Sequence, residues 1–319
     1  MTDTNQDKWK KILNNLSSEE YEDIKANLKH LKSFAGSECL PLTEKQMAVM
    51  INEGSKDLKK FFDTLKLDYT NDENLKDTPM RVSSMYVSEL LVGRYSKPPR
   101  IESFPADMYP VKEEIDKRGK FKEFVSDNEE ELQKLYKQLD EIESVFYNKD
   151  NDVNNILLTN ELLMSSEMIL REIDDLKTKY NFSKPEIETM VVKNIDVNSV
   201  CSHHLISFVS TDNKESKCTI AYIPTLGSDK ALLGISKLQR IGDWFGRRPQ
   251  LQEELNWQIK AFISLILRSL DVMVTFTDIT HYCEKTRRVE SHCGSTSSTV
   301  FSGEFKKVEY RNFALKLAC

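Results

Sequence analysis

From about residue 188 the chain changes its period, and that change constrains the fold more than any other feature. Upstream, apolar residues recur every three or four positions. Downstream, Met190–Val200, Leu205–Ser210 and Cys218–Ile223 are strand-length runs with strand-forming composition. The polar stretch Thr211-Asp212-Asn213-Lys214 supplies the turn between the latter two. Helical patterns follow over Ser236–Phe245 and Gln250–Leu270. Val272–Tyr282 then reads as strand, and Ser295–Phe305 as a further one. Strands, two helices and strands again predict an antiparallel sheet with both helices on one face, an α+β fold.

The upstream part divides in three. Ser17-Ser18-Glu19-Glu20 has capping-box form ahead of Tyr21, Ile24, Leu28 and Leu31, and His30 reads as part of a solvated helix face. Over about 43–104, Met47, Met50, Ile51, Leu58, Phe61, Phe62 and Leu65 fit one apolar face. Asp77-Thr78-Pro79 starts a helix expected to run to Gly93, and Pro98-Pro99 ends regular structure. The segment 110–186 is rich in Lys, Glu, Asp and Asn. Leu132, Leu135, Leu139, Ile142 and Phe146 form one stripe, with Ser126 and Glu129 placed to cap it. Leu158, Leu162, Ile169, Ile173, Leu176 and Tyr180 form a second, beyond polar Asn148–Asn155. Each stripe is expected to bury the other in an inserted helical hairpin that projects from the body. The expected parts are an N-terminal helical extension (1–42), an N-terminal helical region (43–109), the inserted hairpin (110–187) and the sheet domain (188–319).

A chain of 319 residues with 39% hydrophobic and 30% charged residues has the composition of a soluble globular protein. It holds no apolar run near the roughly 20 residues of a membrane helix. Its polar, acidic N-terminus does not resemble a signal peptide, so a cytoplasmic location without membrane attachment is expected. The six cysteines, at 39, 201, 218, 283, 293 and 319, show no disulfide-framework spacing and suit a reducing compartment. A net charge of −6 argues against a nucleic-acid partner.

Two constellations carry chemistry. Cys201-Ser202-His203-His204 puts two zinc-ligand types within one turn, and His281-Tyr282-Cys283 offers two more. If 281–283 continues the strand, His281 and Cys283 share a face. Ligation by Cys201, His204 and Cys283 would leave a fourth position open, as a catalytic zinc requires, with His203 and His281 beside it for proton transfer. On spacing alone a closed structural site and ordinary buried Cys and His remain alternatives. The second constellation is basic. Ser236, Lys237 and Arg240 open a helix after Gly234, followed by Arg247, Arg248, Lys285, Arg287 and Arg288. Free N–H groups at a helix start and clustered cations suit a triphosphate, although a solvated basic face has the same composition. Glu253, at a helix start, has the acceptors to pair with a guanine edge.

Taken together, Cys201-Ser202-His203-His204, Gly234-Ile235-Ser236-Lys237-Leu238-Gln239-Arg240, Arg248-Pro249-Gln250-Leu251-Gln252-Glu253 and His281-Tyr282-Cys283 resemble the ordered motifs of GTP cyclohydrolase I. Asp77–Val82 with Met85-Tyr86, and Thr219–Pro224, extend the resemblance. It implies a T-fold, with subunits joined in two stacked pentamers (a homodecamer) and active sites between subunits. It implies zinc on Cys201, His204 and Cys283, and proton transfer by His203 and His281. Triphosphate would be held by Ser236, Lys237, Arg240 and Arg287, and guanine by Glu253 with Gln252 beside it. The implied reaction opens the purine ring of GTP, releases formate and recyclises to 7,8-dihydroneopterin triphosphate. The chain also departs from the pattern. Ser202 replaces a Glu, Ser84 stands where a Lys is frequent, Arg288-Val289-Glu290-Ser291 replaces the usual sequence, and His292 and Cys293 are additional. These departures keep open another purine nucleotide such as dGTP as substrate, or a catalytically silent zinc-stabilised scaffold.

Overall fold

The computed structural model describes residues 4–31, 33–105, 112–147, 159–179, 189–210, 217–225, 228–287 and 295–318. They form two compact units, one within Met1–Lys97 and the other built from Pro98–Lys149 and Leu158–Cys319.

The first unit is helical. It holds α1 (Thr4–Asn14), α2 (Ser18–His30), α3 (Glu44–Leu65), α4 (Thr78–Met85) and the short α5 (Val92–Tyr95). Ser17 caps α2 by accepting from the Glu20 N–H at 3.1 Å, as the sequence predicts. Thr43 and Gln46 form a full capping box on α3. Trp9, Met47, Ala48, Ile51 and Val87 make the core. The helix begun at Thr78 does not run unbroken to Gly93: Tyr86–Leu90 is a π turn, after which α5 restarts the helix. Ser84 is buried within this unit.

The second unit opens with β1 (Ser103–Phe104), α6 (Lys112–Asp127), α7 (Glu129–Tyr147) and α8 (Thr159–Lys179). There follow β2 (Met190–Ile195), β3 (Asn198–Cys201), β4 (Ser207–Ser210), β5 (Lys217–Tyr222) and β6 (Leu232–Leu233), which pairs with β1. Next come α9 (Ile235–Gly246), β7 (Pro249–Gln250) and α10 (Gln252–Leu267). The chain ends with β8 (Val272–His281), α11 (Tyr282–Arg287), β9 (Thr296–Phe301) and α12 (Val308–Ala318). Ser126, expected to cap a helix start, lies inside α6. The break falls at Asn128, and α6 itself was not anticipated.

β8 is the centre of the sheet. β4 and β5 lie end to end along one of its edges and β9 along the other. β2 extends β5, β3 extends β4, and β7 adds a parallel edge to β3. Apart from β7 the sheet is antiparallel, and α9 and α10 connect its two halves, as expected from the pattern. α9 lies close against β3: a Cβ at Gly246 would sit 2.8 Å from the Asn198 carbonyl oxygen.

The hairpin is present, but it does not stand clear of the sheet domain. Phe146 of α7 packs edge-on to Phe262 of α10 at 5.2 Å. Arg268, at the end of α10, pairs with Asp140 of α7 at 2.6 Å, and Lys230 with Glu143 at 2.8 Å. α8 buries Leu163, Leu170 and Ile173. Its Glu167 forms a buried ion pair with Lys260 of α10, and Asn160 bridges Glu254 and Gln258 of the same helix. α8 therefore divides its inner face between α7 and α10. A three-to-four spacing shows that a helix has an apolar face but not which helix covers it.

Candidate metal centre and the residues around it

The donors come together from two places. The first is a single turn. Cys201 ends β3, and its carbonyl accepts from the N–H groups of His204 and Leu205, at 3.4 and 2.8 Å. Leu205 is left-handed (φ 53°), which reverses the chain so that the Ile206 carbonyl accepts the Cys201 N–H at 3.0 Å. That tight reversal holds Cys201 and His204 side by side. The second place is the end of β8, where Cys283 lies in the first turn of α11. The strand stops at His281, so the two residues do not share a strand face; the helical turn begun at Tyr282 carries Cys283 back toward Cys201. The ligand atoms of Cys201, His204 and Cys283 all lie within 4.8 Å of one another.

That triangle fits zinc. Zn–S and Zn–N bonds of about 2.3 and 2.0–2.1 Å in a tetrahedron put ligand atoms about 3.5–3.8 Å apart, so a small contraction suffices. The donor set, two thiols and an imidazole, is the type that zinc prefers. Burial, then the neighbouring Cys201 thiol, pushes the Cys283 thiol up from its usual range. A cation is what would favour both thiolates in so small a space. Cys201→Ala should lower the zinc bound per chain from about one to near zero, read by elemental analysis after dialysis. Full retention would show that these residues are not the ligands.

His281 ends β8, two residues before Cys283. Its ring stacks on Phe208, its cross-strand partner, at 4.8 Å and 18°. Its Nε2 lies 3.0 Å from Gln252 Oε1. The same oxygen accepts from Thr296 Oγ1 at 2.6 Å, while Gln252 Nε2 donates to Ser298 Oγ at 2.9 Å. An amide oxygen only accepts, so Nε2 of His281 carries the proton and Nδ1 keeps the lone pair. Burial holds the His281 pKa below its usual value, against the opposing pull of Glu284 and Glu253, so the ring is neutral at pH 7. Gln252, expected beside the substrate, is 3% exposed and spends its amide on this network. The hydroxyl-rich β9 was visible in the sequence, but nothing there linked it to His281.

His203 is exposed, with Nδ1 3.9 Å from Cys201 Sγ. Glu253 is exposed in the first turn of α10. Ser236, Lys237 and Arg240 lie at the start of α9, whose N-cap, Gly234, has no capping side chain. Among the described residues, no hydrogen bond or ion pair joins these three to the Cys–His cluster. Arg287 ends α11. Arg288, Val289, Glu290, Ser291, His292 and Cys293 lie outside the described residues. Ser202 is exposed, and its N–H donates to the Gln250 carbonyl at 3.3 Å, which ties the metal turn to β7.

A family model described as GTP cyclohydrolase I matches residues 158–318. The chain belongs to the GTP cyclohydrolase I family. The match takes in α8 as well as the whole sheet. A GTP cyclohydrolase 1 of Vibrio vulnificus is 31% identical over 207 residues, 61% of this chain and 89% of the relative. One from Photobacterium profundum is 39% identical over 127 residues, 40% of this chain and 54% of the relative. One from Vibrio campbellii is 38% identical over 135 residues, 42% of this chain and 55% of the relative. Against these last two, the chain spans about half the length of the relatives it matches. The antiparallel sheet carrying α9 and α10 agrees with the T-fold of the GTP cyclohydrolase I family. No helix among the described residues is long and apolar enough to cross a membrane.

Proposed function

We propose that the protein is a zinc-dependent GTP cyclohydrolase I that converts GTP to formate and 7,8-dihydroneopterin triphosphate. The observation that carries this reading is the convergence of Cys201, His204 and Cys283, with His281, two residues before Cys283, held at its Nε2 by Gln252.

In this reading Cys201, His204 and Cys283 hold the metal, which when bound makes water reactive at neutral pH as a Lewis acid. Lys237 and Arg240 supply charge for the triphosphate, Ser236 a hydroxyl, and the uncapped start of α9 its N–H groups. Arg287 is assigned to the same anion. Glu253 accepts from the guanine N–H donors. His281 takes up a proton at Nδ1 and passes it to the imidazole portion of the purine as it opens, on a ring held by Gln252 and Phe208 rather than one free to rotate. The exposed His203 exchanges protons with solvent and substrate. The working assembly in this proposal is a homodecamer of two stacked pentamers, with sites between subunits, in the cytoplasm.

The test is zinc-loaded protein with GTP, following formate and pteridine absorbance together. Both products in equal amounts are expected. Formate alone would place the block at recyclisation, whereas neither product would overturn the assignment and direct the search to dGTP or to a silent scaffold.

A further inference from the structure

We infer that Asp278 is a positioning residue: it supplies the one extra residue in β8 that turns His281 onto the face of the sheet where Gln252 lies. The kinetic part of this inference rests on the function proposed above; the geometric part does not.

β8 and β9 pair regularly through Met273↔Phe301, Val274↔Val300, Thr275↔Thr299 and Phe276↔Ser298. The next pair is Ile279↔Thr296. Between those last two pairs β8 uses Thr277 and Asp278, while β9 uses Ser297 alone. This is a β-bulge, two residues opposite one.

The faces follow from the hydrogen bonds. Ser298 Oγ meets Gln252 Nε2 and Asn256 Nδ2, at 2.9 and 3.1 Å, and Thr296 Oγ1 meets Gln252 Oε1. Ser298 and Thr296 thus both face α10. Directly paired residues of an antiparallel ladder share a face, so Phe276 and Ile279 face α10 too. They are three positions apart. In a strand of period two they would lie on opposite faces, and only the bulge reconciles them. His281 is two positions beyond Ile279 and keeps its face. Without the extra residue, the imidazole would point to the other side of the sheet, away from Gln252.

Asp278 is the bulge residue that takes the left-handed conformation, with φ 52°. Aspartate is among the few non-glycine residues that adopt it readily. The site is clasped from the facing strand. The Asp278 N–H donates to Ser297 Oγ at 3.0 Å, and Ser295 Oγ donates to Asp278 Oδ1 at 2.8 Å. Asp278 touches neither the thiol pair nor His281, so its effect on chemistry passes through the strand.

Three variants test this. Asp278→Val places a β-branched side chain where φ must be positive. Asp278→Asn keeps both the left-handed preference and an oxygen for Ser295. Asp278→Ala, a milder change, carries the same readouts where the valine variant does not fold. Asp278→Val is expected to lose about 100-fold or more in kcat for formate release, with KM for GTP within about threefold. Asp278→Asn should restore kcat to within about threefold of the unchanged protein. A crystal structure of the valine or alanine variant should show His281 Nε2 out of hydrogen-bond reach of Gln252. An unchanged kcat in the valine variant, or an intact His281–Gln252 bond in that crystal structure, would overturn the inference. If the unsubstituted protein releases no formate, the proposed function fails, and the crystal structure alone still decides the role of Asp278.

Discussion

His281→Ala should release formate with kcat lowered by about 10²–10⁴-fold, the usual contribution of a positioned acid or base. The ring is not one of the three converging donors, so zinc content should stay near that of the unchanged protein. Folding should be affected modestly, because the substitution removes one stacked contact with Phe208 and leaves Gln252 its bond to Thr296. The three readouts together separate roles. A large fall in kcat at constant zinc means that the ring acts in the chemistry, whereas a fall with loss of zinc means that it helps to hold the metal. A kcat within about threefold of the original would remove His281 from the mechanism and leave His203 as the proton-transfer residue.

A protein lacking residues 112–184 should fail to form a folded sheet domain. The loss is not confined to a decoration. Lys260 is buried in α10 and depends on Glu167 of α8. Arg268 is likewise buried and pairs with Asp140 of α7. Removing α7 and α8 also strips the cover from the apolar face of α10 and exposes it to water, at roughly 25 cal/mol per Å² of apolar surface. Phe262 would also lose Phe146. The expected result is aggregated or unfolded material in size-exclusion chromatography and circular dichroism. A folded, zinc-binding deletion protein would show that the hairpin is an accessory, as its charged composition suggests at first reading.

The sequence was most informative where chemistry is local. Cys201 and His204 lie three apart, and a single turn is enough to join them. The order of strands and helices after residue 188 gave away the sheet because each element has its own period. What stayed hidden depends on pairings between distant elements. Gln252 reads as a substrate contact beside Glu253, yet its amide turns inward to His281, Thr296 and Ser298, a geometry set by the packing of α10 against β8 and β9. Asp278 is invisible for a related reason. A bulge is a mismatch in count between two strands, and neither strand alone records it. The expectation that His281 and Cys283 share a strand face missed the helical turn at Tyr282, which nothing in the polarity of His281-Tyr282-Cys283 announces.

The turn that holds Cys201 beside His204 has a thermodynamic side as well. These two donors are joined by a few bonds of chain, but Cys283 is separated from them by about eighty residues that include both helices under the sheet. A metal gripping all three acts as a removable crosslink across that whole stretch. By the loop-closure scale for crosslinks of such length, it restrains the unfolded chain by about 4–5 kcal/mol. Chelation would then loosen the sheet domain as a whole, and the ion that equips the site for chemistry would also serve as a clasp for the fold.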